Sequence, residues 1–195
     1  MMPWTKKFDI DETLDKAMRR FWSHGYEATS MQDLVRHMRI NRGSLYDTFG
    51  DKRSLFIASL HRYDDRWRQA RLTALAQAYA PVEAIHRLFQ DWIEHALNDP
   101  DQSGCFLTNT ALELAAHDRE IGEIVAASQR GIEAFFHQLI EQGQASGDIP
   151  ADINTSHAAQ LLLAALIGLL VLARSRPERT LLESIAAQAL AVLDA

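Results

Sequence analysis

Apolar residues recur along this chain every three or four positions, and no stretch alternates as a half-buried strand would. The pattern therefore predicts helices throughout. Leu14, Met18, Phe21 and Trp22 form a first stripe, giving a helix from about Asp9 to His24 that stops at Gly25. Met31, Leu34 and Val35 mark a short second helix. Thr29 or Ser30 can cap it, with Gln32 or Asp33 closing a capping box. His37 to Ile40 reads as a turn. Asn41 caps a third short helix, which turns Leu45 and Phe49 inward beside Ile40 and ends at Gly50.

From Asp51 onward the helices lengthen. Phe56, Leu60, Tyr63 and Trp67 follow four-three-four spacing, and the pattern predicts an unbroken helix to about Ala80, because Pro81 disfavours helical geometry at the residue before it. Val82, Ile85, Phe89, Trp92, Ile93 and Ala96 mark the next helix, and Asn98 to Gly104 reads as a loop. Helices follow at about Cys105 to Ala116 and through Ile121 to Leu139. After a loop at 143–154 come two last helices, at about 155–174 and 178–194, separated by Ser175-Arg176-Pro177. The expectation is an all-α protein of about nine helices: three in a small head (1–50), the rest in a body (51–195).

The helix at 155–174 is apolar nearly all round, so every side of it needs cover. The rest of so small a body can hardly supply that cover. A second copy can, with the helices at 155–174 and 178–194 of each protomer forming a four-helix interface. Ile167 and Leu170 are expected in it.

The net charge of −6 changes meaning once it is divided. Residues 1–53 carry 10 Lys/Arg against 8 Asp/Glu, and residues 54–195 carry 10 against 18. A basic head on an acidic body suits head-first approach to a polyanion. A single cysteine, Cys105, excludes an intrachain disulfide. The first residues, MMPWTKKFDIDE, lack an apolar signal core, and the longest apolar run, Leu161 to Ala173, is 13 residues, short for a bilayer span. A cytoplasmic protein with no membrane partner is the expectation.

Two short helices across a four-residue turn make a helix-turn-helix, whose second helix enters the major groove of duplex DNA. Its outer face then carries Arg42, Ser44, Tyr46, Asp47 and Thr48, with Gly43 allowing close approach to a groove floor. Asp51 opens the next helix with Lys52 in its first turn, a pairing suited to a DNA phosphate.

The run Gly43-Ser44-Leu45-Tyr46-x-x-Phe49-Gly50-x-Lys52-x-x-Leu55, preceded by Thr29-Ser30-Met31, closely resembles the DNA-binding region of TetR/AcrR-type transcriptional regulators. Met38-Arg39 departs from the small residue and glycine usual in that family's turn. The resemblance implies a homodimeric repressor, released from a pseudopalindromic operator by a small-molecule effector, with no cofactor. It implies phosphate contacts from Thr29, Tyr46 and Lys52, and base or groove contacts from Arg42, Gly43 and Ser44. Thr29 can serve as cap and contact at once, and Tyr46 can instead pack half-buried. An arginine there can read guanine through two hydrogen bonds.

The resemblance also implies an effector pocket in the body, for which Trp67, Phe89, Trp92, Cys105, Asn109, Glu113, Phe135 and Phe136 are the candidates, although aromatic residues at helical spacing are also ordinary core. Cys105, at a helix start, is either a thiol sensor of oxidants or electrophiles or a buried apolar residue. A DNA-binding protein without any effector is a further alternative. No enzyme is expected: there is no His-x-x-x-His pair, no Gly-x-Ser-x-Gly elbow and no Gly-rich phosphate loop. No metal site is expected either.

Overall fold

The computed structural model describes residues 8–194, and all regular structure among them is helical. The N-terminal stretch read above for a signal core lies largely outside the described residues.

The head forms as its capping residues dictate. Helix α1, Ile10–His24, starts on Asp9, whose carboxylate accepts the Glu12 N–H, and ends at Gly25 with φ 80°. Of the alternatives for α2, Met31–Met38, the capping box is Ser30 with Asp33. Its C-cap, Arg39, takes the left-handed conformation (φ 58°, ψ 39°) that the family pattern gives to glycine. Helix α3, Arg42–Phe49, is capped by Asn41, which accepts the Ser44 N–H. Phe21 and Phe56 meet edge-to-face at 5.0 Å and tie α1 to helix α4, Lys52–Tyr63.

The expected unbroken helix departs from the simple pattern in one respect. After α4 the backbone makes a π turn, Asp64–Gln69, before resuming as α5, Ala70–Ala78. The rod is continuous but its register slips. The four-three-four stripe ends with Trp67 47% exposed, because the wider π turn rotates it off the buried line. Asp64 and Arg68, both nearly buried, form an ion pair across the turn. Burial pushes the Asp64 carboxyl up, but hydrogen bonds from Arg68 and Gln69 outweigh this and hold it below its usual value.

The body comprises α6, Pro81–Asn98; α7, Phe106–Glu113; α8, Arg119–Ser146; α9, Thr155–Ser175; and α10, Arg179–Leu190, with a short 3-10 turn after it. With α4, the π turn and α5 as one rod, the described residues make the nine-helix all-α arrangement. Helix α9 packs on α8, α10, α6 and α7. It also corrects the expectation about span length. Polar Thr155, Ser156, His157 and Gln160 are helical too, so the helix reaches 21 residues, and its most apolar 18-residue window, with a mean hydropathy of 2.0, is by length and composition enough to cross a membrane. Only 39% of it is buried within the chain. Leu161 (50%) and Val171 (37%) are exposed, with Ala164 beside them and Gly168 partly open, on one face. Ile167 and Leu170 do not belong to that face: they point into the body.

Candidate DNA-reading face and effector cavity

Helix α3 presents Arg42, Gly43, Tyr46 and Asp47 to solvent. Arg42 lies 5.6 Å from the centre of the Tyr46 ring, one helical turn on, so the two act as one surface. A Cβ built on Gly43 meets only Asn41 Oδ1, at 3.4 Å, so the missing side chain leaves its clearance on the outside. Two candidates do not share this face. Ser44 is buried under the Asn41 cap, since it stands at the inward position next to Leu45. Thr29 is fully buried, and its hydroxyl donates to the Gly25 carbonyl at 2.7 Å. The cap it was offered as belongs to its neighbour Ser30, which turns Thr29 inward.

Lys52 stands in the first turn of α4, its ammonium 4.1 Å from the centre of the Tyr26 ring. Arg53, beside it, points the other way. It pairs with Asp118 at 2.7 Å and Glu120 at 2.8 Å, at the start of α8. The Arg53 guanidinium and the Ile121 N–H together lower the Asp118 carboxyl to about 2.

A largely enclosed cavity of about 50 Å³ lies in the body. Tyr63, Trp67, Arg68, Arg71 and Leu72 of the rod line it from one side, with Trp92, Cys105, Thr108, Ser128, Ile132 and Leu170 around the rest. Tyr63 is wholly buried. Its hydroxyl donates toward Cys105 Sγ at 3.6 Å, and burial raises its pKa well above normal, so the phenol stays a donor. Cys105 itself is buried, capping α7.

Of the eight pocket candidates, Trp67, Trp92 and Cys105 line this cavity and the others do not. Phe89 and Phe136 stack at 6.1 Å in the core, with Phe135 against them, because they sit on the mutual contact of α6 and α8. Asn109 is spent on the loop before α7: it donates to the Ser103 carbonyl and accepts from Arg174. Glu113 faces the head, accepting the Glu27 N–H at 2.9 Å and the Tyr26 N–H at 3.2 Å. It thus closes the end of α1, where a Cβ on Gly25 would come within 3.0 Å of its carboxylate.

These head–body contacts escape sequence reasoning. The Trp22 indole donates to the Gly104 carbonyl at 2.8 Å, across 82 residues, directly before Cys105. The left-handed φ of Gly104, 63°, is what turns that carbonyl outward. Only a glycine ahead of a helix start hints at it. No group of three or more His, Cys, Asp or Glu among the described residues is placed to hold a metal.

A capped helix-turn-helix with an exposed second helix, braced on an all-helical body, defines a DNA-binding regulator rather than an enzyme. The chain belongs to the TetR family of bacterial transcriptional regulators. Residues 14–59 match the tetR family of bacterial regulatory proteins, and residues 81–189 match the tetracyclin repressor-like C-terminal domain. An uncharacterized HTH-type transcriptional regulator of Bacillus subtilis (strain 168), YezE, is 34% identical over 97% of this chain and 98% of its own. The HTH-type transcriptional repressor ComR of Escherichia coli (strain K12) is 34% identical over 87% of this chain and 81% of its own. The TetR family regulator CifR, solved as a cysteine mutant with 26-base-pair double-strand operator DNA, superposes with a TM-score of 0.84. It is 29% identical, covering 95% of this chain and 97% of that one.

Proposed function

We propose that this regulator is a cytoplasmic homodimeric repressor, released from a pseudopalindromic operator by a small effector, with no cofactor. One observation carries the reading: a single rod both walls the body cavity, through Tyr63, Trp67 and Leu72, and braces the reading head, through Leu55, Phe56 and Leu60. A ligand that displaces the rod tilts the head, and a stiff duplex cannot follow without cost. CifR and ComR support the DNA and repressor parts, the first by its operator complex, the second by name. The cavity favours this reading over a DNA-binding protein without effector.

The division into a reading head (residues 1–50) and a dimerising body (51–195) is part of the proposal, with α4 joining the two. The second copy is assigned to the open face of α9 with α10, through Leu161, Ala164, Gly168 and Val171. Two-fold pairing then sets the α3 helices roughly 34–36 Å apart or somewhat more, in successive major grooves. The test is selection of bound duplexes from a random library. An inverted repeat is expected, and recovery of a single unrepeated half-site would refute the dimeric scheme.

A second reading rests on its own observation: the chain's one thiol lines the cavity, beside the Tyr63 hydroxyl. Modification of Cys105 would then replace reversible binding. N-Ethylmaleimide, which can add only at Cys105, should release operator DNA from the native chain and not from Cys105→Ser. Retained operator affinity after complete alkylation rules this route out.

A further inference from the structure

All three tryptophans among the described residues, Trp22, Trp67 and Trp92, line one open cleft of about 300 Å³ between head and body. Leu88, Arg71, Asp91 and His95 complete its walls. The cleft adjoins the cavity of Cys105, and Trp67, Arg71, Leu88 and Trp92 wall both. It is the larger and more open of the two.

The aromatic walls are set at angles to one another. Trp22 and Trp67 meet at 5.6 Å and 71°, forming a corner of two indoles. His95 lies nearly parallel to Trp22 at 6.0 Å and meets Trp92 edge-on at 5.6 Å. Core packing does not account for this arrangement, since the Trp67 indole is left half in water by the π turn. Indole faces are the strongest aromatic acceptors of a cation. Yet the cation–π contacts among the described residues fall on Tyr46, Tyr26 and Tyr79, and none falls on a tryptophan. Trp22 is packed by Tyr63, Trp67 and His95, but the half-exposed Trp67 indole stands without a cation beside a carboxylate, Asp91.

Arg71 pairs with Asp91 and is half exposed, so its guanidinium can swing into solvent. An anion finds one cation, Arg71, already paired with Asp91, and otherwise meets indole faces and that carboxylate. A strongly hydrated metal ion finds a single carboxylate, too few oxygen ligands to replace its water. A weakly hydrated organic cation suits the indole walls and Asp91 once Arg71 turns out toward solvent. We propose that this cleft is a second ligand site, which takes a small methylated or quaternary ammonium, seated against Trp22, Trp67 and Trp92 with its charge on Asp91 in place of Arg71. The acidic body, with 10 Lys/Arg against 18 Asp/Glu over residues 54–195, adds long-range attraction. The site shares a wall with the cavity but opens on the other side of it, toward Trp22, and its occupant would touch head and body at once, because Trp22 belongs to α1.

The test uses the full chain without DNA. Tetramethylammonium chloride is titrated while tryptophan fluorescence and heat are recorded, with sodium chloride at matched ionic strength and tert-butanol as a neutral molecule of the same shape. Saturable binding of the cation and none of tert-butanol is expected. Asp91→Asn and Trp67→Ala should each weaken binding by about tenfold. Arg71→Gln should strengthen it, because the carboxylate loses its competitor. Thermal melts confirm that each variant is folded, and Trp67→Phe, which keeps an aromatic face, should retain part of the affinity. Equal binding of tert-butanol would reduce the site to a plain apolar slot. Absence of saturation at tens of millimolar, or full affinity in folded Asp91→Asn, overturns the proposal.

Discussion

Arg42 and Lys52 are both cations of the helix-turn-helix region, and their surroundings differ. Arg42 extends from the exposed face of α3 over Tyr46, while Lys52 sits at a helix N-terminus over Tyr26. Changing Lys52 to Ala should weaken binding about equally for all duplexes and flatten the salt slope by roughly one. Arg42→Ala should instead relax preference at one base pair, by about 1–3 kcal/mol. Binding isotherms on operator and random DNA at several salt concentrations check both, and indistinguishable profiles for the two variants would remove the assignment. Asp118 supplies a second residue-scale expectation. Its carboxyl falls from an ordinary 3.8 to about 2 on folding, so its ion pair with Arg53 stabilises the native state above pH about 4. That contribution is lost as pH falls toward 2, where the folded carboxylate takes up a proton. Thermal melts between pH about 2 and 6 should therefore show a shallower acid slope for Asp118→Asn. An unaltered slope would mean the pair does not form in solution.

At the scale of elements, α9 shows that an apolar pattern does not say which face of a helix its own chain covers. Its apolar circumference calls for cover on every side, and the chain supplies cover for one part only. Leu161 and Val171 lie on the open part, whereas Leu170 is buried at 4% exposure in its own protomer. Glutamate at Leu161 and Val171 together should give folded monomers, because the new charges face water once the partner leaves. Glutamate at Leu170 should instead destabilise the protomer itself, since it buries a charge without a counterion. Light scattering with thermal melts separates these outcomes, and a dimer that survives the Leu161/Val171 change would place the interface elsewhere. The π turn is the other element-scale feature. It puts a slip in the rod at the level where the rod leaves the head and begins to wall the cavity.

The head is held to the body by aromatic contacts, Phe21 and Tyr26 on Phe56 and Trp22 on Tyr63 and Trp67, with a few polar contacts beside them. Trp22 ties α1 to Gly104, next to Cys105, and Glu113 holds the N–H groups that follow α1. A change at the cavity can therefore reach the head by the α7 side as well as along the rod. Ligand and DNA should disfavour each other reciprocally, typically by about 1–3 kcal/mol. Trp22→Phe keeps the ring and removes the N–H. It should shrink the ratio of operator affinities before and after alkylation of Cys105, with the head still folded. Fluorescence anisotropy on labelled operator gives that ratio, and an unchanged value would leave the rod as the sole route.

Sequence alone determined most of the reading head, and the reason is locality. Asn41 and Asp51 cap helices a few residues away, Gly25 and Gly50 end them, and the exposure of Arg42 and Tyr46 follows from their positions within one short motif. Hydrophobic period likewise fixes which segments are helical, because each stripe is a property of its own helix. Within the same motif Ser44 and Thr29 escaped, since one residue of rotation decides between surface and interior. What the tertiary structure decided are matters of meeting across distance. Glu113 and Asn109 face the head and a loop rather than the cavity, Phe89 and Phe136 found each other in the core, and Trp22, Trp67 and Trp92 converged on one cleft. Side chains tens of residues apart carry no mutual signal in a single sequence. Their partners are set by how amphipathic rods pack, which depends on every face at once.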